Sequence, residues 1–262
     1  MGACPLGLCY NPPITMKAML VCNWKMNPET YREAKLLFEA TKKAGDKAKG
    51  IQIVIAPPSL YLRELSKGYR GKIGFAVQNA FAETHGAHTG EISFVQAKDS
   101  RAGYAIIGHA ERRASGETNE QVRSKVTAAL KAELGVILCI GEQARSGAGE
   151  HFPFVHEQLR VSLSEVPVSQ LKKITIAYEP VWAIGAAKPM TSRDMHEMSI
   201  FIRKTIVEFY GEAGMDIKVL YGGSIDETSA PIMLTDGDVA GLLVGRASAD
   251  PKQITSLLAA IA

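Results

Sequence analysis

The chain has 262 residues, 46% of them hydrophobic and 22% charged, with a formal net charge of +3. That length suits one large core or two small domains, and the composition is that of an ordinary globular protein. Basic residues are scattered among acids, which leaves no footprint for nucleic acid, and no apolar run reaches the roughly 20 residues that cross a bilayer.

Residues 1–16, MGACPLGLCYNPPITM, lack the basic stretch and uninterrupted apolar block of a leader and are expected to be a disordered extension. From residue 17 onward, short apolar, β-branched-rich runs alternate with longer stretches of helical period. The first half supplies AMLVCNW (18–24), IQIVIA (51–56), IGFAVQN (73–79) and YAIIGH (104–109). The second half supplies GVILCIG (135–141), ITIAYE (174–179), IKVLYGG (217–223) and VAGLLVG (239–245). Between them, residues 29–44 and 192–210 carry helical periodicity. In the second of these, Met195, Met198, Ile202 and Ile206 fall on one face at spacings of three and four.

Eight strand-like runs linked by crossover helices imply parallel pairing, and a parallel sheet buries both faces, which accounts for runs that are apolar almost throughout. Closing eight such units gives a single-domain α/β protein of the (β/α)8 barrel type over residues 17–262; the rival is an open doubly wound sheet. No GxGxxG follows the first run, which weakens the dinucleotide-binding form of that rival. Cys4, Cys9, Cys22 and Cys139 have no metal-site spacing. The last two sit within apolar runs and are expected to be buried reduced thiols, in keeping with a cytoplasmic protein.

Polar chemistry gathers where the runs end: Asn23 and Lys25, Gln78 and Asn79, His109, Glu142, Glu179, then Gly222-Gly223-Ser224 and Gly245-Arg246. In a barrel all these ends open on one face. His109 precedes a helix expected to start near Ala110, whose N-terminal partial charge favours a neutral ring that can still donate a hydrogen bond to a developing oxyanion. Glu179 ends an apolar strand, where desolvation is expected to raise its pKa and strengthen it as a base. Lys25 supplies a fixed positive charge. The glycine-flanked ends of runs seven and eight allow backbone N–H groups to approach an anion. Taken singly, each residue has an ordinary structural explanation, and it is their shared position at strand ends that points to a site.

The segments NWKMN (23–27), QNAF (78–81), GAHTGEIS (86–93), IGHAERR (107–113), CIGE (139–142), AYEPVWAIG (177–185), YGGSI (221–225) and LLVGRAS (242–248) closely resemble the triosephosphate isomerase family, in family order. The resemblance implies a TIM barrel with Glu179 as the base, His109 as the neutral electrophile, and Asn23 and Lys25 binding and polarising the substrate. It implies phosphate binding by Gly185, Ser224, Gly245 and Arg246, support from Glu111, Arg112 and Cys139, and neither metal nor cofactor. Thr89 matches a loop that inserts into a partner subunit, which implies a homodimer. The implied reaction interconverts dihydroxyacetone phosphate and D-glyceraldehyde 3-phosphate through an enediolate. EPVWAIGAAKPM (179–190) would then be a base joined to an apolar lid that excludes water.

Several positions depart from the family pattern. Ala110 replaces a serine, removing one expected hydrogen bond to the resting base. Arg246 replaces a glycine, and its guanidinium could add charge or obstruct the phosphate. The lid reads GAAKP, and His88 stands at a usually aromatic position. These departures motivate two alternatives to a working isomerase. One is a non-catalytic or weakly catalytic sugar-phosphate-binding barrel, and the other is an isomerase of a related phosphorylated sugar.

Overall fold

The computed structural model describes residues 18–145, 147–183 and 190–262. The expected N-terminal extension and most of the expected lid, including Gly185, lie outside the described residues. Eight strands run in order around a closed barrel, each pairing in parallel with the next and the last with the first. They are β1 (Ala18–Asn23), β2 (Ile51–Ala56), β3 (Gly74–Val77), β4 (Tyr104–Ile107), β5 (Gly135–Ile140), β6 (Ile174–Tyr178), β7 (Lys218–Tyr221) and β8 (Gly241–Val244). The open-sheet alternative is thereby excluded.

Apart from β2, which ends with its run at Ala56, the strands end one or two residues before the apolar runs do. Gln78, Asn79, His109, Glu142, Glu179 and Gly222 all lie just past the last strand residue. The physical reason is that ladder pairing constrains the backbone, whereas a residue one step beyond can turn its side chain over the barrel mouth.

Alternation within each strand divides the core in two. Met19, Val21, Val54, Ala76, Ile106, Ile137, Cys139, Ala177, Leu220 and Leu243 fill the barrel interior. Leu20, Cys22, Ile55, Val77, Leu138 and Tyr178 belong to the outer cluster shared with the helices. Cys22 and Cys139 are both buried and free, on opposite faces of the wall. The helix Ser192–Tyr210 spans the expected residues and fully buries Met195, Met198, Ile202 and Ile206. Its start is capped by Thr191, whose hydroxyl accepts from the Asp194 N–H. The helix Tyr31–Gly45 starts two residues later than the periodicity suggests, because Thr30 and Glu33 form a reciprocal capping box there. Among the described residues no helix is long and apolar enough to cross a membrane.

Arg203 on the long helix ties that helix to the turn entering β8. Its guanidinium pairs with the Asp238 carboxylate and donates to the Asp238 carbonyl at 2.9 Å and to Ser199 Oγ at 2.8 Å. The pair is nearly buried, so losing one partner leaves a charge without its counter-ion. Asp238→Ala is expected to cost about 3–5 kcal/mol, measured by urea denaturation; a loss below about 1 kcal/mol would mean the tie is dispensable.

Candidate active site

Asn23, Lys25, His109, Glu179, Ser224, Gly245 and Arg246 line one cavity of about 650 Å³ at the C-terminal mouth of the barrel. The strand ends that carry them are separated by up to about 220 residues of chain, and barrel closure is what joins them. Gly185 lies outside the described residues, so the expected phosphate set is described without it.

Lys25 follows β1 in a left-handed conformation with φ of 53°. A non-glycine residue there costs of order 1–3 kcal/mol and persists only where its surroundings hold it. Three contacts do so. The Lys25 N–H donates to Asn23 Oδ1 at 3.1 Å, and the Lys25 carbonyl accepts from Gln78 Nε2 at 2.8 Å. The ammonium pairs with Glu111 Oε1 at 2.6 Å. Gln78 also donates to the Ala56 carbonyl at 2.8 Å, so one amide joins the ends of β1, β2 and β3.

Gly108, with φ of 74°, turns the chain off β4, and a Cβ there would lie 3.0 Å from the Cys139 carbonyl oxygen. The turn sets His109 as the N-cap of the helix Ala110–Ala114. Nδ1 of His109 accepts the Glu111 N–H at 3.2 Å, which assigns the ring proton to Nε2 in the neutral form. Nε2 lies 3.1 Å from Glu179 Oε1, and the Ala110 N–H donates to Glu179 Oε2 at 3.1 Å. The serine-to-alanine departure therefore still leaves the resting base one backbone donor.

Glu179 is 3% exposed, and two glycines make room for it. A Cβ on Gly141 would lie 1.9 Å from the Glu179 carbonyl oxygen, and one on Gly222 would lie 2.8 Å from its Cγ. Burial is the largest influence on its pKa and pushes it up. The His109 ring, the Ala110 N–H and the Cys139 thiol together outweigh that and hold the carboxyl below its ordinary range. This corrects the expectation of a raised pKa: in this resting arrangement the base is well solvated by the protein. Burial likewise pulls His109 down, but the charge and hydrogen bond of Glu179, with Glu111 behind, leave its pKa raised. The helix N-terminus and burial favour a neutral ring, and the neighbouring carboxylate opposes them. Cys139 sits beneath Glu179, its thiol pushed well above the ordinary value by burial and then by that carboxylate.

The remaining expected residues divide. Arg112 is exposed and lines a surface hollow with Phe81, Glu91 and Lys125. The neighbouring Arg113 is the buttress, donating to the Gly108 carbonyl at 2.8 Å, Asn119 Oδ1 at 2.6 Å and the Cys139 carbonyl at 3.4 Å. An arginine pair in sequence gives no sign of which member turns inward. Thr89 is exposed on a loop away from the cavity. In that loop the His88 ring packs against Phe81 with centroids 4.2 Å apart and the planes tilted by 39°, so the imidazole fills an aromatic position. Glu142, the acid past the end of β5, accepts from Tyr178 Oη at 2.8 Å and from Trp182 Nε1 at 2.8 Å. It thereby anchors the segment immediately after Glu179.

A family model described as triosephosphate isomerase matches residues 18–261. The chain belongs to the triosephosphate isomerase family. Similar proteins of that name occur in Endomicrobium trichonymphae, 36% identical over 92% of this chain and 98% of that protein, and in Marinobacter nauticus, 36% identical over 90% and 94%. A third, from Coprinopsis cinerea, is 38% identical over 88% of this chain and 92% of its own length. Membership makes the chain an enzyme, an isomerase of the intramolecular oxidoreductase class.

The contact between Glu179 and His109 has a measurable sign. Glu179→Gln removes the charge that raises the imidazole, so the His109 pKa should fall relative to the parent in an NMR titration of the ring. The raised His109 adds stability that is complete below the ordinary imidazole value of 6.5 and lost as pH rises through the folded pKa. The lowered Glu179 adds stability that is complete above the ordinary 4.5 and lost as pH falls through its folded pKa. The stability gap between parent and variant should therefore be widest between those two values. An unmoved His109 titration would show that the two groups are not charge partners.

Proposed function

We propose that this chain interconverts dihydroxyacetone phosphate and D-glyceraldehyde 3-phosphate by proton transfer through an enediolate. The observation that carries the reading is the convergence of a buried carboxylate, an Nε2-protonated imidazole and an ammonium on one cavity: Glu179, His109 and Lys25. Glu179 takes the proton from one substrate carbon and returns it to the next. When it swings from His109 onto the substrate it gives up its bonds to the ring and to the Ala110 N–H, and burial then dominates its basicity. The same movement frees Nε2–H of His109 to donate to the substrate oxygens as negative charge develops there. The Lys25 ammonium and the Asn23 amide polarise the carbonyl from the β1 end.

Ser224, Gly245 and the backbone N–H of Arg246 form the proposed phosphate end, with Gly185 completing it. Ser224 Oγ donates to the Ala183 carbonyl at 3.3 Å, which supports a link between the β7 end and the segment after Glu179. The chemistry is proposed to need no cofactor, and the compartment is proposed to be the cytoplasm.

A homodimer is also proposed. Met26 is 91% exposed directly beside Lys25, and the loop bearing Thr89 is exposed as well, so a second copy inserting that loop would cover apolar surface next to the catalytic lysine. Met26→Asp should shift the protein toward monomer in sedimentation velocity and lower activity with it. A parent that sediments as a monomer at every concentration would end this part of the reading.

A coupled assay on D-glyceraldehyde 3-phosphate tests the reaction itself. Glu179→Gln is expected to reduce turnover about a hundred- to ten-thousand-fold, the range for a lost general base. Glu179→Asp, which withdraws the carboxylate by about one methylene, is expected to cost on the order of a hundredfold. Turnover unchanged in both variants would remove Glu179 from the mechanism.

A further inference from the structure

We propose that the guanidinium of Arg246 recognises the substrate phosphate directly, adding a side-chain cation to a site otherwise built from backbone N–H groups. The inference rests on the isomerase reading for the identity of the substrate, but its anion chemistry can be tested without it.

Arg246 opens the short 3-10 turn Arg246–Ala249 directly after β8 and Gly245, and both residues line the catalytic cavity. Its side chain is exposed, and among the described residues it makes no hydrogen bond and no ion pair. The neighbouring cation differs in this respect. Lys25 approaches Gly245 closely enough that a Cβ there would lie 3.7 Å from its Nζ, yet that ammonium is matched by Glu111 at 2.6 Å. The acids that line the same cavity are engaged elsewhere: Glu179 with His109, and Asp226 and Asp250 locally. Asp226 Oδ1 accepts the N–H groups of Thr228 at 3.0 Å and Ser229 at 2.8 Å, and the Ser229 hydroxyl at 2.8 Å. Asp250 Oδ1 accepts the Lys252 and Gln253 N–H groups, both at 2.8 Å, as the cap of the helix Pro251–Ala260. Arg246 is therefore a cation at the cavity edge without a fixed counter-ion.

A planar guanidinium suits a phosphate, because two parallel N–H groups meet two oxygens of the same anion. Its exposure allows the long side chain to fold over an anion already seated on the Gly245 and Arg246 backbone. Because the phosphate is the non-reacting end of the substrate, this contact should be nearly the same in the ground and transition states, and so act on KM more than on kcat. An exposed charge pair is also screened by salt, with a Debye length of about 8 Å at physiological ionic strength.

The test uses the full chain, inorganic phosphate as the probe by calorimetric titration, and steady-state kinetics on D-glyceraldehyde 3-phosphate. Arg246→Gln should weaken inorganic phosphate binding about three- to tenfold at low ionic strength. The difference should shrink as salt rises toward about 0.3 M. KM should rise by a similar factor, more than kcat falls, and Arg246→Lys should restore part of the loss. Equal phosphate affinity in Arg246→Gln and the parent at low salt would overturn the proposal. So would tighter binding in Arg246→Gly, which would mean the side chain obstructs the site. If the parent binds phosphate but does not isomerise the triose, the proposed reaction fails, while the phosphate titration still decides the role of Arg246.

Discussion

Closure of the barrel is the constraint on which everything else depends. β1 pairs with β8 in a register that sets Cys22 opposite Val244, and this alone brings Asn23 and Lys25 beside Gly245 and Arg246. The Ser248 hydroxyl reaches the Asn23 carbonyl at 3.4 Å across 225 positions of sequence. Parallel pairing then places every strand's C-terminal end on one rim, and residues past the ends of β1, β4, β6, β7 and β8 line one cavity there. Crowding at that rim explains its glycines better than flexibility does. Gly141, Gly222 and Gly245 stand where a Cβ would meet Glu179 or Lys25 at 1.9, 2.8 and 3.1 Å.

Within that frame the acid–base groups are held in pairs drawn from different strands. Lys25 after β1 is matched by Glu111 beyond β4, and Glu179 after β6 by His109 after β4. A buried carboxylate needs such partners, because desolvation without compensation would either neutralise it or destabilise the fold. The partners of Glu179 also set its chemistry. At rest they hold its pKa down and that of His109 up. The contacts that satisfy the carboxylate in the fold are thus the same ones that set its pKa. Glu142, gripping Tyr178 and Trp182 on either side, fixes the backbone around that side chain.

How much of this was legible in the sequence follows from what each inference required. The strands could be read because a doubly buried parallel sheet demands continuous apolar runs, and all eight fell where those runs lie. The residues at their ends could be read because the topology fixes which end faces the mouth. Contacts between neighbouring strand ends could not. The sequence offered Arg112 and Arg113 side by side, and only the packing of β4 against β5 turns Arg113 toward the Gly108 and Cys139 carbonyls. Gln78 looked like a strand-end amide, and its double donation to Lys25 and Ala56 depends on how far β2 and β3 stagger around the barrel. The direction of the Glu179 shift was missed for the same reason. Burial can be inferred from an apolar run, but the compensating Ala110 N–H and His109 ring come from another strand.

The rim itself is divided by chemistry. On the side of β4, β5 and β6 the groups are buried and mutually satisfied: His109, Cys139, Glu142 and Glu179 are each less than a tenth exposed. On the side of β7, β8 and β1 they are open, with Lys25 partly exposed and Arg246 exposed beside Gly245. A proton-transfer step requires the first environment, where small changes in contact move a pKa. Capturing a hydrated dianion requires the second, where charge acts at a distance and water can still leave. A substrate spanning the two would place its reacting carbons against the buried side and its phosphate against the open one. On the proposed reading, which strand ends are sealed sets how the substrate lies, before any single contact to it is considered.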